Sequence, residues 1–341
     1  MTTILAGDIG GTKTLLATYQ VDGDQLIEQR RERYSSAEWH DFAELLNHFL
    51  GPLADRPQRG CLAIAGPVQG GRVQLTNLPW MLEEHALQNA CAIEHLELVN
   101  DFAVLIYGLN HLQAHQQHTL VAKPAISGAP IAILGAGTGL GVAMGIPGPR
   151  GLMAMASEAA HGEFAARTEA EWQLKQWLLQ DQGLERVSIE RVVSGPGLGQ
   201  VFRWCLSQHT GSTPHRLHQP SQLWASSDAA APERPDLPAL VASAAQAGDP
   251  LAQQALSIWL GAYGSVAGDL VLQSLCLGGL WIGGGTAGKL LDQLGSNAFL
   301  GPFGRKGRLS AVVGQVPVKA LTDAGAGLFS AACRARMLLA V

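Results

Sequence analysis

The chain has 341 residues, 47% of them apolar and 15% charged, enough apolar side chain for sizeable cores and a length that suits about two domains. Its 23 Lys+Arg against 28 Asp+Glu leave a net charge of −5 with both signs scattered, so neither a nucleic acid nor a membrane is an expected partner, and a small-molecule ligand is. The five cysteines stand far apart with no CxxC pair, no basic and apolar leader opens the sequence, and no uninterrupted apolar run reaches about 18 residues; the expected location is the cytoplasm.

Residues 3–9 form a short apolar run into Gly-Gly, and TLLATYQ at 14–20 is apolar with β-branched and aromatic members, which predicts two strands around a tight glycine turn. A helix-like stretch from Ala37 to Leu50 precedes a third strand, CLAIAGPV at 61–68, and LELVNDF at 96–102 is a fourth. Strands that alternate with helices predict an α/β domain. After the His-rich stretch at 109–118, PIAILGAGTGLGVAMGI at 130–146 repeats the opening design of strand, Gly-Thr turn and strand, as expected of two related halves. Residues 207–238 are rich in Ser, Pro and Ala with little periodicity and read as loop, with nothing catalytic in them. Asp249-Pro250 reads as a helix N-cap followed by Pro at the first helical position, opening a long helix through about Ser274. A strand at 277–286 and a final helix in AGAGLFSAACRARMLLA close the chain.

GDIGGTKT nearly fits a P-loop, but the pattern requires Gly where Thr12 stands, and the following segment reads as a strand rather than a helix. GAGTGLG at 135–141 invites a dinucleotide-binding reading, with Glu158 about 20 residues on, yet VAMGIPGPRG is too short and proline-broken to be the phosphate-facing helix. Each turn alone reads as well as an ordinary glycine turn; together, the two Gly-Thr hairpins and Asp8 suit a metal-nucleotide clamp, in which Mg²⁺ lies between Asp8 and the phosphates, directly or through water. Asn100 and Asp101 end an apolar strand, where α/β sheets bind ligands; Asp101 is a candidate base for an attacking alcohol and Asn100 a candidate to orient hydroxyls, while a turn or helix cap is the structural alternative. Glu158, His161 and Glu190 can supply acceptors for a polyhydroxy ligand, and Glu163, Glu169 and Glu171 read as solvated helix charges.

With these residues assembled, the chain resembles the bacterial glucokinase family, of the superfamily that also holds hexokinase, actin and the heat-shock chaperone ATPases. The matching motifs run nearly end to end and in order: GDIGGTKT, AIAGPV, LTNLPW, LVNDF, GAGTGLG, the E-x-x-H of SEAAHGEF, IERVVSGPGL and IGGGTA. The resemblance implies a two-domain actin-like ATPase (ribonuclease H-like) α/β fold with an interdomain cleft, the small domain at 1–112 plus 322–341 and the large one at 113–321. It implies glucose 6-phosphate and ADP as products of glucose and MgATP, with a kinase for another hexose or amino sugar (mannose, fructose, N-acetylmannosamine) as the alternative. By the same resemblance Asp101 is the base for the sugar 6-hydroxyl, and Asn100, Glu158, His161, Glu190, Gly66 and Pro67 belong to the sugar site. Gly10, Gly11, Thr12, Gly137 and Thr138 would hold ATP phosphates, Gly283, Gly284 and Gly285 would line the adenosine, and a homodimer is expected. The chain departs from the family at Ala159 and Ala160, where Gly-Gly is usual, which bears on sugar preference. It also lacks the Cys-rich zinc motif of the related ROK kinases.

Overall fold

A computed structural model describes residues 2–75, 78–149, 151–211 and 214–340; Thr76 and Asn77 of the LTNLPW motif lie outside the described residues. The chain divides into two compact units, Met1–Gln117 with Ala143–Ala156 and Asp323–Val341, and His118–Val142 with Ser157–Thr322.

In the first unit the opening strands are β1 (Thr2–Ile9) and β2 (Lys13–Asp22), antiparallel around the Gly10–Thr12 turn. A further strand, β3 (Gln25–Ser35), follows, then β4 (Arg59–Ile64), a small hairpin of β5 (Arg72–Gln74) and β6 (Met81–Glu83), and β7 (His95–Asn100). The five-stranded sheet has the order β3-β2-β1-β4-β7, with β1, β4 and β7 parallel. Alternation along β1 sends Leu5 and Ile9 into a core with the helix Phe42–Leu50, and Ile4 and Ala6 into a core with the C-terminal helix Ala326–Met337. The sheet is therefore covered on both faces, as parallel strands require.

Residues 143–156 belong with this unit because the N–H of Ala154 donates to the Tyr107 hydroxyl at 3.3 Å and Ala154 packs on the same core as the C-terminal helix. β3 is missing from the sequence reading: as the edge of its sheet it carries the charges of QRRER, which hide the strand period while discouraging further pairing.

The remaining strands are β8 (Gln117–Val121), β9 (Ile131–Ala136), β10 (Leu140–Gly148), β11 (Gly151–Ser157), β12 (Gly279–Gly283) and β13 (Val318–Leu321). Their order is β11-β10-β9-β12-β13-β8, with β9, β12 and β13 parallel. The run β11-β10-β9-β12-β13 repeats the run β3-β2-β1-β4-β7 position for position, which bears out the two related halves read from the two Gly-Thr turns.

The second unit is built on the helix Pro250–Ser274, capped by the Asp249 side chain, which accepts from the N–H of Ala252 at 3.0 Å. By length and composition this helix could cross a bilayer, with a mean hydropathy of 1.4, but 72% of that window is buried inside the protein, as in a core helix. Two expectations are corrected here. Within 207–238 lies a helix, His218–Ser226, and a second begins at Leu237, its N-cap Asp236 accepting from the N–H of Ala239. Glu171 is only 2% exposed, because Arg167 pairs with its carboxylate through the side chain and donates its backbone N–H at 2.7 Å.

Candidate active site

Because β1, β4 and β7 are parallel and in register, with Ile9 beside Ile64 and Ile64 beside Asn100, their carboxyl ends place Gly10–Thr12, Gly66–Pro67 and Asn100–Asp101 on one edge of the first sheet. This is where the topology of such sheets leaves room for a ligand. The turn after β1 is closed by the Gly10 N–H donating to the Lys13 carbonyl at 2.9 Å, and the buried Ser36 hydroxyl donates to the Gly10 carbonyl at 3.0 Å. Thr12 stays exposed, with its hydroxyl available to an incoming anion.

Asp8 lies on the same face of β1 as Ile4 and Ala6, beside Gly327 at the start of the C-terminal helix, where a Cβ would lie 3.5 Å from Asp8 Oδ2. Burial raises its pKa against the opposing pull of Lys13. Asp101 is pushed up to about 6, first by burial of its carboxyl group and then by the negative charge of Asp8, although the residue as a whole reaches solvent. A cation beside these two carboxyl groups would relieve the burial of Asp8 and the burial and Asp8 charge felt by Asp101, and carboxylate oxygens suit a hard divalent ion.

Asn100 has its amide fully engaged. Its Nδ2 donates to the Gly66 carbonyl and to Asp101 Oδ1, each at 3.1 Å, while Oδ1 accepts from the N–H groups of Phe102 (3.1 Å) and Ala103 (3.0 Å). Two donors and two acceptor positions are all that the side chain has. It therefore holds the turn and the Asp101 carboxylate together, and ties both to Gly66.

In the second unit β9 and β12 end side by side, Gly135 opposite Gly283. Gly137, Thr138 and Gly285 then line a cavity of about 450 Å³ with Trp224, Arg234, Asp236 and Lys289. Gly283 lies within β12, buried, and does not line it. Arg234 stacks over the Trp224 ring at 4.6 Å and donates to its carbonyl at 3.0 Å, so residues from the stretch expected to be featureless loop build one wall of this cavity. Only the serine, proline and alanine richness of that stretch was visible locally; the wall forms through long-range packing. The support beneath is also non-local: Tyr263, fully buried on the long helix, accepts from the Ala136 N–H at 3.1 Å and donates to the Leu134 carbonyl at 3.3 Å.

A second cavity, about 460 Å³ and polar, is lined by Thr138, His161, Glu190, Arg186 and Arg191 among others. Glu158 and His161 are exposed, their side chains 3.5 Å apart, and Arg186 donates to the His161 carbonyl at 2.8 Å. Of the two alanines between them, Ala160 is 2% exposed with its methyl turned into the protein, so Ala159 is the one whose methyl remains near the surface. The second unit thus brings Thr138, His161 and Glu190 to one cavity, and the first unit brings Asp8, Gly10–Thr12, Gly66, Asn100 and Asp101 to one sheet edge.

The sequence profile described as Glucokinase matches residues 5–338. The chain belongs to the glucokinase family. A glucokinase from Synechocystis sp. is 39% identical over 344 residues, covering 96% of both chains. The crystal structure of a glucokinase from an Antarctic psychrotroph is 30% identical and superposes with a TM-score of 0.84 over 98% of this chain and 99% of that one. A ROK family glucokinase from Streptomyces griseus, solved with glucose and AMPPNP, is 18% identical with a TM-score of 0.55 over 98% of this chain and 99% of that one, and shares the fold. The α/β architecture is accordingly that of the actin-like ATPases, and this glucokinase-family chain carries its sheet duplication in the strand orders above.

Proposed function

We propose that the protein transfers the γ-phosphoryl group of ATP to the 6-hydroxyl of glucose, forming the O6–P bond, breaking the bond from Pγ to the β,γ-bridging oxygen, and releasing ADP. Membership of the glucokinase family along residues 5–338 carries this reading. The geometry is consistent with it: an aspartate at the carboxyl end of β7, held by Asn100, suits acceptance of the 6-hydroxyl proton, and its raised pKa suits a base whose proton arrives late in a loose transition state.

In this reading Glu158, His161 and Glu190 bind sugar hydroxyls, Asn100 orients Asp101, and Gly66 and Pro67 complete the loop against Asn100. Gly10, Gly11, Thr12, Gly137 and Thr138 hold phosphates, while Gly285, with the Trp224–Arg234 wall, takes the nucleoside; Gly284, like Gly283, is not part of that lining. Asp8 is the residue suited to hold Mg²⁺, directly or through water; when bound, the ion neutralises developing charge on the transferring phosphoryl group. Asp8→Ala then abolishes Mg²⁺-dependent turnover. The buried free thiols Cys61, Cys91, Cys205, Cys276 and Cys333 suit a reducing cytoplasm, and the homodimer expected from the resemblance is checked by sedimentation.

The test is the initial rate of ADP formation with MgATP, with and without glucose. A large glucose-dependent rate is expected; stimulation by mannose, fructose or N-acetylmannosamine in place of glucose would reassign the substrate, and no response to any sugar would overturn the kinase reading.

A further inference from the structure

Glu190 stands on the short turn of helix Ile189–Val192, and one of its carboxylate oxygens is already committed. Oε2 accepts the backbone N–H of Leu140 at 2.8 Å, at the point where the Gly137–Gly139 turn runs into β10. The carboxylate lies flush on that turn: a Cβ on Gly139 would stand 2.6 Å from Oε2, so only glycine admits the contact as it is. A second tie runs alongside, the N–H of Gly195 donating to the Gly137 carbonyl at 2.8 Å, while the turn closes on itself through Gly137 N–H to the Gly139 carbonyl at 2.8 Å. Among the described residues no other hydrogen bond to the Glu190 carboxylate is present, and the side chain lines the polar cavity shared with His161 and Thr138.

From this geometry we infer that Glu190 is a positioning residue for the phosphate-binding turn at Gly137–Leu140, in addition to any contact it makes with sugar. The inference rests on the reading that this turn holds nucleotide phosphates. A charge-assisted hydrogen bond from a backbone N–H to a carboxylate is among the stronger ones available to a loop, and here it fixes the turn whose N–H groups and threonine hydroxyl would meet an anion. The turn is thereby organised before any sugar arrives. Glu190 also joins the two ends of the site mechanically, since a sugar hydroxyl on Oε1 would bear on the same carboxylate that holds the turn.

Nucleotide affinity in the absence of sugar separates this role from sugar binding alone. Calorimetric titration of the sugar-free protein with AMPPNP and Mg²⁺ should show Glu190→Ala binding about tenfold more weakly, the loss of one such hydrogen bond after partial relaxation. Glu190→Gln, which keeps a neutral acceptor for the Leu140 N–H but loses the charge assistance, should fall between, about threefold weaker than wild type. Gly139→Ala leaves Glu190 in the sequence but displaces its carboxylate, and should weaken AMPPNP as Glu190→Ala does; it decides the matter if Glu190→Ala fails to fold. Wild-type affinity in both Glu190→Ala and Gly139→Ala would overturn the inference while leaving the kinase reading intact. Failure of the wild-type protein to bind AMPPNP would overturn the kinase reading itself, and this inference with it.

Discussion

Asn100 Nδ2 donates a hydrogen bond to the carboxylate of its neighbour Asp101 at 3.1 Å, and the same amide spends its remaining capacity on Gly66, Phe102 and Ala103. A side chain saturated in this way acts on chemistry through the group it holds. Asn100→Ala frees the Asp101 carboxylate to leave its rotamer and removes a hydrogen bond that favours the ionised form. The expected result is a fall in kcat of about a hundredfold, typical of a misplaced catalytic group, with a smaller change in the KM for glucose. Steady-state kinetics checks the split; a large rise in KM with kcat unchanged would make Asn100 a sugar ligand instead.

As the proposed base, Asp101 is expected to set the pH dependence of turnover. Its pKa of about 6 lies above the ordinary carboxylate value, through burial and then Asp8, so the ionised form capable of accepting a proton is lost as pH falls through 6 rather than through 4. The acid limb of kcat/KM should therefore centre near 6, and in Asn100→Ala it should move to higher pH. Asp101→Asn should lower kcat by about a thousandfold at pH 8, with the deficit shrinking as pH falls below 6 and the wild-type carboxylate is itself protonated. Stability moves the other way: a carboxylate whose folded pKa exceeds its unfolded value is a burden on the folded state that develops as pH rises from about 4 to about 6. Asp101→Asn should accordingly melt higher than wild type at pH 8, with the difference vanishing below pH 4, as thermal melts at the two pH values will show.

What the sequence made legible follows from how local each signal is. The Gly-Thr turns carry their glycine, threonine and flanking strand pattern within about a dozen residues, and the Asp249-Pro250 cap is written in two, so strands β1, β2, β9 and β10 and the long helix are readable directly. The same holds for Asn100–Asp101 at the end of β7. Illegible were contacts whose partners lie far along the chain: Arg234 stacked on Trp224 only makes a cavity wall once helix packing sets it against Gly285, and Glu190 reaches Leu140 across 50 positions. Glu171 misled for a related reason, since an acidic helix residue shows nothing locally of the arginine that buries it.

Tyr263 tests the support under the second turn. Its phenol hydroxyl is buried and serves both Leu134 and Ala136, the residues that end β9 just before Gly137. Tyr263→Phe keeps the ring in its edge contacts with Trp259 and Phe299 but leaves a buried N–H and carbonyl without that partner. The expected cost is about 1–3 kcal/mol in urea unfolding, accompanied by a raised KM for ATP, because the strand end that launches the turn is loosened. A loss of stability without any change toward ATP would confine the hydroxyl to a packing role.

Gly264 offers a case where two rules oppose each other and the structure decides the sign. In an exposed helix interior, Gly→Ala stabilises by about 1 kcal/mol because alanine loses less backbone freedom on folding. Here the helix Pro250–Ser274 crosses the helix Asn297–Gly304 so closely that a Cβ at Gly264 would stand 2.1 Å from the Phe299 carbonyl oxygen, a backbone atom with no rotamer to yield. The methyl can be admitted only by moving the helices apart, which loosens Tyr263 and Phe299 from each other. Overpacking of this kind costs about 1–3 kcal/mol and exceeds the propensity gain. Gly264→Ala should therefore be less stable than wild type in urea unfolding, whereas Gly304→Ala, with no atom within 4 Å of the added Cβ, should be nearly neutral; equal stability of the two variants would show that the close crossing does not constrain the helix.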